Sequence, residues 1–222
     1  MTTPPPSDRA RLRRAHERGH YDREAVNSVL DAGFMCHVGY VADGLPYVTP
    51  TLHWRIGDKV YWHGSAASRA IRASEGAEVC LTVSFLDGLV LARSGFHSSV
   101  NYRSAMVFGQ AQKVTDPDEI VRVLDIFIDR IAPGRVAEIR PPNDQEIKST
   151  TVLWMSLDNA SAKIRTGPPG DDEEDYAIPV WAGVIPLSTQ AGAPIADPRL
   201  DDGISPPDYL AQTAKILTGS VD

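Results

Sequence analysis

The chain has 222 residues, 42% of them hydrophobic and 23% charged, with a formal net charge of −7. That length suits one compact domain with a tail and buries roughly 70% of the unfolded surface, so no disulfide or structural metal is needed to hold a core. The acidic balance excludes a nucleic-acid groove, which requires clustered cations to displace counterions. No apolar run approaches the roughly 18 residues of a membrane span.

In chain order, residues 1–8 (MTTPPPSD) are rich in proline and expected to be disordered. A first helix is expected over 8–18, with Arg9, Arg11, Arg13, Arg14 and Arg18 on a solvated face. Asp22 is placed to cap a second helix through its carboxylate. In that helix Val26, Val29 and Leu30 make one apolar stripe, and Gly33 stands where a left-handed terminal residue is wanted. The period then changes to two. Residues 34–41 and 46–56 read as strands joined at Asp43-Gly44, a strong hairpin signal, and 59–63 as a third strand after Gly57-Asp58. A short helix is expected over 66–74. Strands follow at 78–86 and 89–93, joined by a second Asp-Gly turn at Asp87-Gly88, then a polar loop over 94–101 and a long strand over 102–114.

Asp116-Pro117 with Glu119 starts a helix. Its Ile120, Leu124, Phe127, Ile128 and Ile131 recur at helical spacing, and Pro133-Gly134 ends it. A last strand pair spans 151–157 and 162–165. Beyond Gly167 the acidic run 171–175 and repeated prolines predict an extended surface tail, in which 180–187 (VWAGVIPL) is apolar enough to dock. About seven strands on mostly short turns imply an antiparallel barrel rather than βαβ units. The expected organisation is a flexible or helical arm over 1–20, a barrel over 21–167 and an acidic, proline-rich tail over 168–222.

Cys36 and Cys80 lie in apolar runs and read as buried free thiols of a reducing compartment. With no apolar targeting segment at the N-terminus, a soluble, cytoplasmic protein is expected. His16-Glu17-Arg18-Gly19-His20 matches H-E-x-x-H literally. A zinc site of that kind needs both histidines on one face of a stable helix, however, and Gly19 and the flanking arginines argue against it, so no metal is expected. No G-x-G-x-x-G, G-K-[ST] or G-x-S-x-G pattern occurs.

The informative stretch is 61–69 (YWHGSAASR), a strand that turns at Gly64 into a short helix. The unpaired first-turn amides and partial positive charge of a helix start suit a phosphate. Ser65 and Ser68 can add hydroxyls and Arg69 a bidentate grip. The residues alone equally allow a capped helix with a solvent-facing arginine. His63, at the strand end, is either a polar edge residue or the candidate catalytic side chain.

Three stretches in order, Pro46 to Thr51 (PYVTPT), Gly57 to Arg69 (GDKVYWHGSAASR) and Asn101 to Gly109 (NYRSAMVFG), resemble the pyridoxamine-5′-phosphate-oxidase-related flavoproteins, and within them the branch with the nitroimidazole-resistance reductases. The resemblance runs from about Gly19 to about Gly167. It implies a mainly β, α+β fold, a six-stranded antiparallel split barrel with flanking helices. It also implies a homodimer with flavin at the interface. By position, Ser68 and Arg69 would bind the phosphate of FMN, with Ser65 beside them. Pro50, Thr51, Leu52 and His63 would border the flavin ring. Arg103 and Ser104 would approach from the partner chain, and Lys163 or Arg165 would lie near it on the last strand. Ala70 stands where the oxidases proper have lysine, and their substrate-phosphate cluster and closing R-x-H are missing. Pyridoxine phosphate is therefore not the expected substrate, and Gly64-Ser65 leaves room for FAD. The function implied is a flavin-dependent oxidoreductase that reduces a small electron-poor acceptor, with NAD(P)H as a possible reductant. The alternatives are a non-catalytic flavin carrier or sensor, or a deazaflavin- or haem-binding member of the same barrel group.

Overall fold

A computed structural model describes residues 3–218. Its elements are β1 (Gly19–His20), α1 (Arg23–Asp31), β2 (Met35–Ala42), β3 (Leu45–Ile56), β4 (Lys59–Ser65), α2 (Arg69–Ser74), β5 (Glu78–Leu91) and β6 (Ser99–Gln110). These are followed by β7 (Gln112–Lys113), α3 (Pro117–Ile131), α4 (Asp144–Ser149), β8 (Thr150–Ser156), β9 (Ala160–Arg165), β10 (Gly183–Pro186) and α5 (Tyr209–Thr218). The strands run in the order β1-β9-β6-β5-β2-β3-β4-β8-β7, with β10 added to β5. Every pairing is antiparallel and the path does not close. This is the mainly antiparallel split-barrel class expected from the sequence.

No helix forms over 8–18. The arm is irregular up to a 3₁₀ turn at His16–Arg18, after which β1 pairs with β9. Arg9 turns to the barrel, reaching Glu78 at 2.9 Å and lying over the Phe108 ring, while Arg11 and Arg13 pair with Asp8 within the arm. His16 and His20 thus share no helix face, and the H-E-x-x-H run offers no metal site.

The Asp22 carboxylate accepts the Ala25 N–H at 2.8 Å, and α1 buries Val26, Val29 and Leu30. Gly33 does not close the helix in the left-handed region. Instead, Arg130 Nη2 of α3 donates to the carbonyls of Leu30, Asp31 and Gly33. Gly33 is small for another reason, since a Cβ there would meet the Phe85 ring at 2.7 Å.

The β2–β3 hairpin turns on Asp43 and Gly44, both left-handed (φ 51° and 75°), with Ala42 opposite Leu45. That is the backbone a two-residue hairpin of matching twist requires. Fixed in this register, β3 buries His53 and Trp54. His53 Nε2 lies 2.9 Å from the Leu30 carbonyl and Nδ1 3.1 Å from that of Phe34. Burial pushes this imidazole down to about 4, outweighing the two carbonyls, which favour the protonated ring. A neutral ring donates to only one of them.

Two cores result. One lies between α1 and the β2, β5, β6 and β9 sheet. In the other α3 packs Ile120, Val123 and Phe127 on Trp54, Tyr61 and Val152 of β3, β4 and β8.

The sequence reads 78–93 as two strands, but β5 is continuous. It pairs with β6 on both sides of a bulge between Leu86 and Gly88. Buried positions are Val79, Leu81 and Val83 before the bulge, then Gly88 and Val90 after it. One extra residue has exchanged the faces. The apolar tail run docks as β10, Val184 opposite Val90. Two helices were not apparent from the sequence, α4 with an Asn143–Glu146 capping box and α5 in the tail. Among the described residues, no helix is long and apolar enough to cross a membrane.

Candidate functional site

The strand–turn–helix segment of β4 and α2 faces β3 across a cleft of about 100 Å³, lined by Pro50, Thr51, His63, Gly64, Ser68 and Ile71 among others. The sheet supplies its floor through β3, held on β2 in the register Thr51 opposite Cys36 and Pro50 opposite His37. The turn closes tightly because Gly64 has no side chain. A Cβ there would lie 2.9 Å from Ile71 Cγ1 of α2.

At the mouth of the cleft Ser68 caps α2, yet its hydroxyl makes no capping bond. The loop uses Ser65 instead, whose Oγ accepts the Ala67 N–H at 3.2 Å. The first-turn amides of Arg69 and Ala70 have no acceptor within the helix. Arg69 is exposed, lies 4.4 Å over the Tyr47 ring and has no carboxylate partner among the described residues. An uncommitted hydroxyl and free amides beside the cleft, followed by a guanidinium with no carboxylate partner, are groups that suit a phosphate.

His63 stands between this cleft and a second cavity of about 510 Å³. The larger cavity is walled by Leu124, Phe127 and Ile128 of α3, by Val136, Ile139, Pro141 and Pro142, and by the charged Asp125, Arg140 and Glu146. The ring packs 5.4 Å from Phe127 and 5.7 Å from Trp54. Its Nδ1 is buried without a hydrogen-bond partner, and so is Trp54 Nε1. Burial lowers the His63 pKa, which keeps the ring neutral and able to ligate or accept a proton near neutral pH.

The remaining candidates lie elsewhere. Leu52 is half-buried beneath α3 rather than lining the cleft. Arg103, Ser104, Lys163 and Arg165 share the β6–β9 ladder, with Ser104 opposite Lys163 and Tyr102 opposite Arg165. Three strands, β5, β2 and β3, separate that ladder from β4. Arg103 is already held at 2.9 Å by both oxygens of Asp87, the residue inserted at the bulge, and Arg165 donates to Asn101 Oδ1 at 2.5 Å. The sequence reading missed Asp87 as this partner because its dipeptide resembled a turn. It also missed the larger cavity, because Leu124, Phe127 and Ile128 read simply as core spacing.

A family model described as pyridoxamine 5′-phosphate oxidase matches residues 22–164. Among solved structures, the flavocytochrome Anf3 from Azotobacter vinelandii is 46% identical, covering 94% of this chain and 97% of its own, with a TM-score of 0.91. An FAD- and haem-binding protein from Mycobacterium smegmatis is 38% identical, covering 89% of this chain and 97% of its own, with a TM-score of 0.85. A protein from Bacteroides thetaiotaomicron named for 5-nitroimidazole antibiotic resistance shares the fold, at 23% identity, 64% and 84% coverage and a TM-score of 0.54. No curated protein matches the chain.

Proposed function

Because the chain belongs to the pyridoxamine 5′-phosphate oxidase family, we propose that it is a flavin-dependent oxidoreductase whose flavin phosphate sits at the start of α2. One observation carries the reading: Ser68, whose hydroxyl makes no capping bond, lines the cleft between β3 and the β4–α2 turn, and Arg69, without a carboxylate partner among the described residues, directly follows it as the first residue of α2. Ser68 donates to the phosphate, Arg69 neutralises it, and the Pro50–Thr51 backbone and His63 border the ring. A bound flavin supplies two-electron transfer to a small electron-poor acceptor, with NAD(P)H as the reductant. FMN is the flavin the family resemblance implies, and the name of the Mycobacterium smegmatis relative supports FAD as its alternative. In this reading the protein is a homodimer, as the family resemblance implies, with Arg103, Ser104, Lys163 and Arg165 of the β6–β9 ladder approaching the flavin from the partner chain.

The absorption spectrum of the purified protein and the identity of the extracted nucleotide test the cofactor. A colourless protein that takes up neither FMN nor FAD overturns the reading. Steady-state turnover of quinones or nitroaromatics separates an enzyme from a carrier, which shows stoichiometric reduction only. Arg69→Ala is expected to weaken flavin binding by about 1.5–3 kcal/mol, the range for a charged hydrogen bond. Unchanged affinity would remove the phosphate from this helix start.

A second reading has its own observation. The cavity of about 510 Å³ has His63 at its wall among apolar side chains of α3, with Asp125, Arg140 and Glu146 also lining it, and the two relatives most identical among those described are named a flavocytochrome and an FAD- and haem-binding protein. His63, kept neutral by burial, is the side chain that would ligate haem iron there. A Soret band lost in His63→Ala, with flavin retained, supports it. Its persistence in that variant rejects His63 as the ligand.

A further inference from the structure

The loop between β5 and β6 and the start of the tail bring three donors together, none of which lines the cleft. His97 Nε2 lies 3.2 Å from Asp172 Oδ2, and one ligand atom from each of His97, Asp172 and Asp175 falls within 4.8 Å of the others. Asp172 caps the 3₁₀ turn Glu173–Ala177 and Asp175 lies within it, its N–H donating to the Asp172 carbonyl at 2.9 Å, which holds the two residues close.

Separate anchors hold the two halves. Arg93 donates its amide and Nη1 to Asp171 at 2.8 and 2.9 Å, pinning the tail. Ser94 fixes the loop, its Oγ accepting the His97 N–H and its carbonyl the Ser98 N–H. Asp171 takes up the charge of Arg93, and the same run carries four further acids at 172, 173, 174 and 175, leaving the local field negative.

We propose that His97, Asp172 and Asp175 bind a divalent first-row transition ion of the zinc type, clipping the C-terminal tail to the β5–β6 loop. An imidazole nitrogen with two carboxylates selects such an ion over magnesium or calcium, which prefer all-oxygen shells. Three protein ligands leave further positions for water. The ion would fasten the tail ahead of β10, so that Asp171, the metal and the β5 ladder act in series. This site is independent of the flavin reading, and its test does not depend on the cofactor state.

Isothermal titration of the full, untagged chain with Zn²⁺ at neutral pH is expected to show one saturable site per chain. His97→Ala and Asp175→Asn are each expected to weaken it at least about tenfold, and millimolar Mg²⁺ or Ca²⁺ is expected to leave it unchanged. Zn²⁺ is also expected to slow protease cleavage within 168–222 in the parent chain and not in His97→Ala, with a chelator restoring the rate. No saturable binding, equal binding by His97→Ala, or displacement by Ca²⁺ overturns the site. Binding that leaves tail cleavage unchanged overturns the clip.

Discussion

Asp43-Gly44 and Asp87-Gly88 are the same dipeptide set between β-forming runs, yet the first reverses the chain and the second lets it continue. At the first, both residues are left-handed and Ala42 faces Leu45 across a two-residue turn. At the second, neither residue has positive φ. Glu78 to Leu86 and Gly88 to Val90 lie on the same partner, β6, and β10 covers the other edge of the later segment. Ladder bonds on both sides of the chain outweigh a local turn preference, and the surplus residue is absorbed as a bulge. The comparison teaches that a turn signal states what the backbone can do there, while the neighbouring strands decide what it does.

The contrast can be broken first where the hairpin register matters most. A one-residue slip at Asp43-Gly44 would turn His53 out of the core. Its folded pKa of about 4 lies below the usual 6.5, so the unfolded chain takes up the proton first as pH falls. The stabilisation is complete above about 6.5 and lost toward 4, by about 3 kcal/mol from this residue alone. Urea unfolding across that window measures the slope, and His53→Gln is expected to flatten it. An equal slope in the variant would assign the loss to other groups.

A smaller effect is expected at the turn itself. Gly44→Ala puts a side chain at φ 75° and is expected to cost about 1 kcal/mol, read as a lower urea midpoint with unchanged slope. Smaller again is the bulge carboxylate. Asp87→Ala removes the pairing with Arg103, a partly exposed ion pair worth about 0.2–1 kcal/mol that should fade with salt. Gly88→Ala should act locally. No left-handed strain arises, but its Cβ would lie 3.1 Å from the Ile185 carbonyl oxygen and Val184 Cγ1 of β10. Global stability is expected to hold within about 0.5 kcal/mol while cleavage within 168–222 quickens. If Gly88→Ala behaves like Gly44→Ala, the two dipeptides do not differ as described.

Much of the fold was legible because local chemistry and tertiary context agreed. The Asp22 cap, the Val26–Val29–Leu30 stripe, the first hairpin and the Asp116-Pro117 helix start all form as their residues specify. The helix expected over 8–18 does not form, and the arm is instead tied to the barrel, Arg9 by Glu78 and the Phe108 ring and Ser7 by Asn159. The tail's apolar run was visible as a docking segment, but its seat on β5 depends on an edge that exists only once the sheet is built.

The sequence by itself determined the antiparallel class, the hairpin register and the strand–turn–helix that presents Ser68 and Arg69, since each depends on periodicity, caps and turns within a few residues. The tertiary structure alone decided that Asp87 would become a bulge and take Arg103, and that α3 would wall a cavity at His63. It also brought the tail to His97. Those outcomes depend on contacts between residues distant in the chain, and neither hydrophobic period nor motif spacing records which distant surfaces will meet.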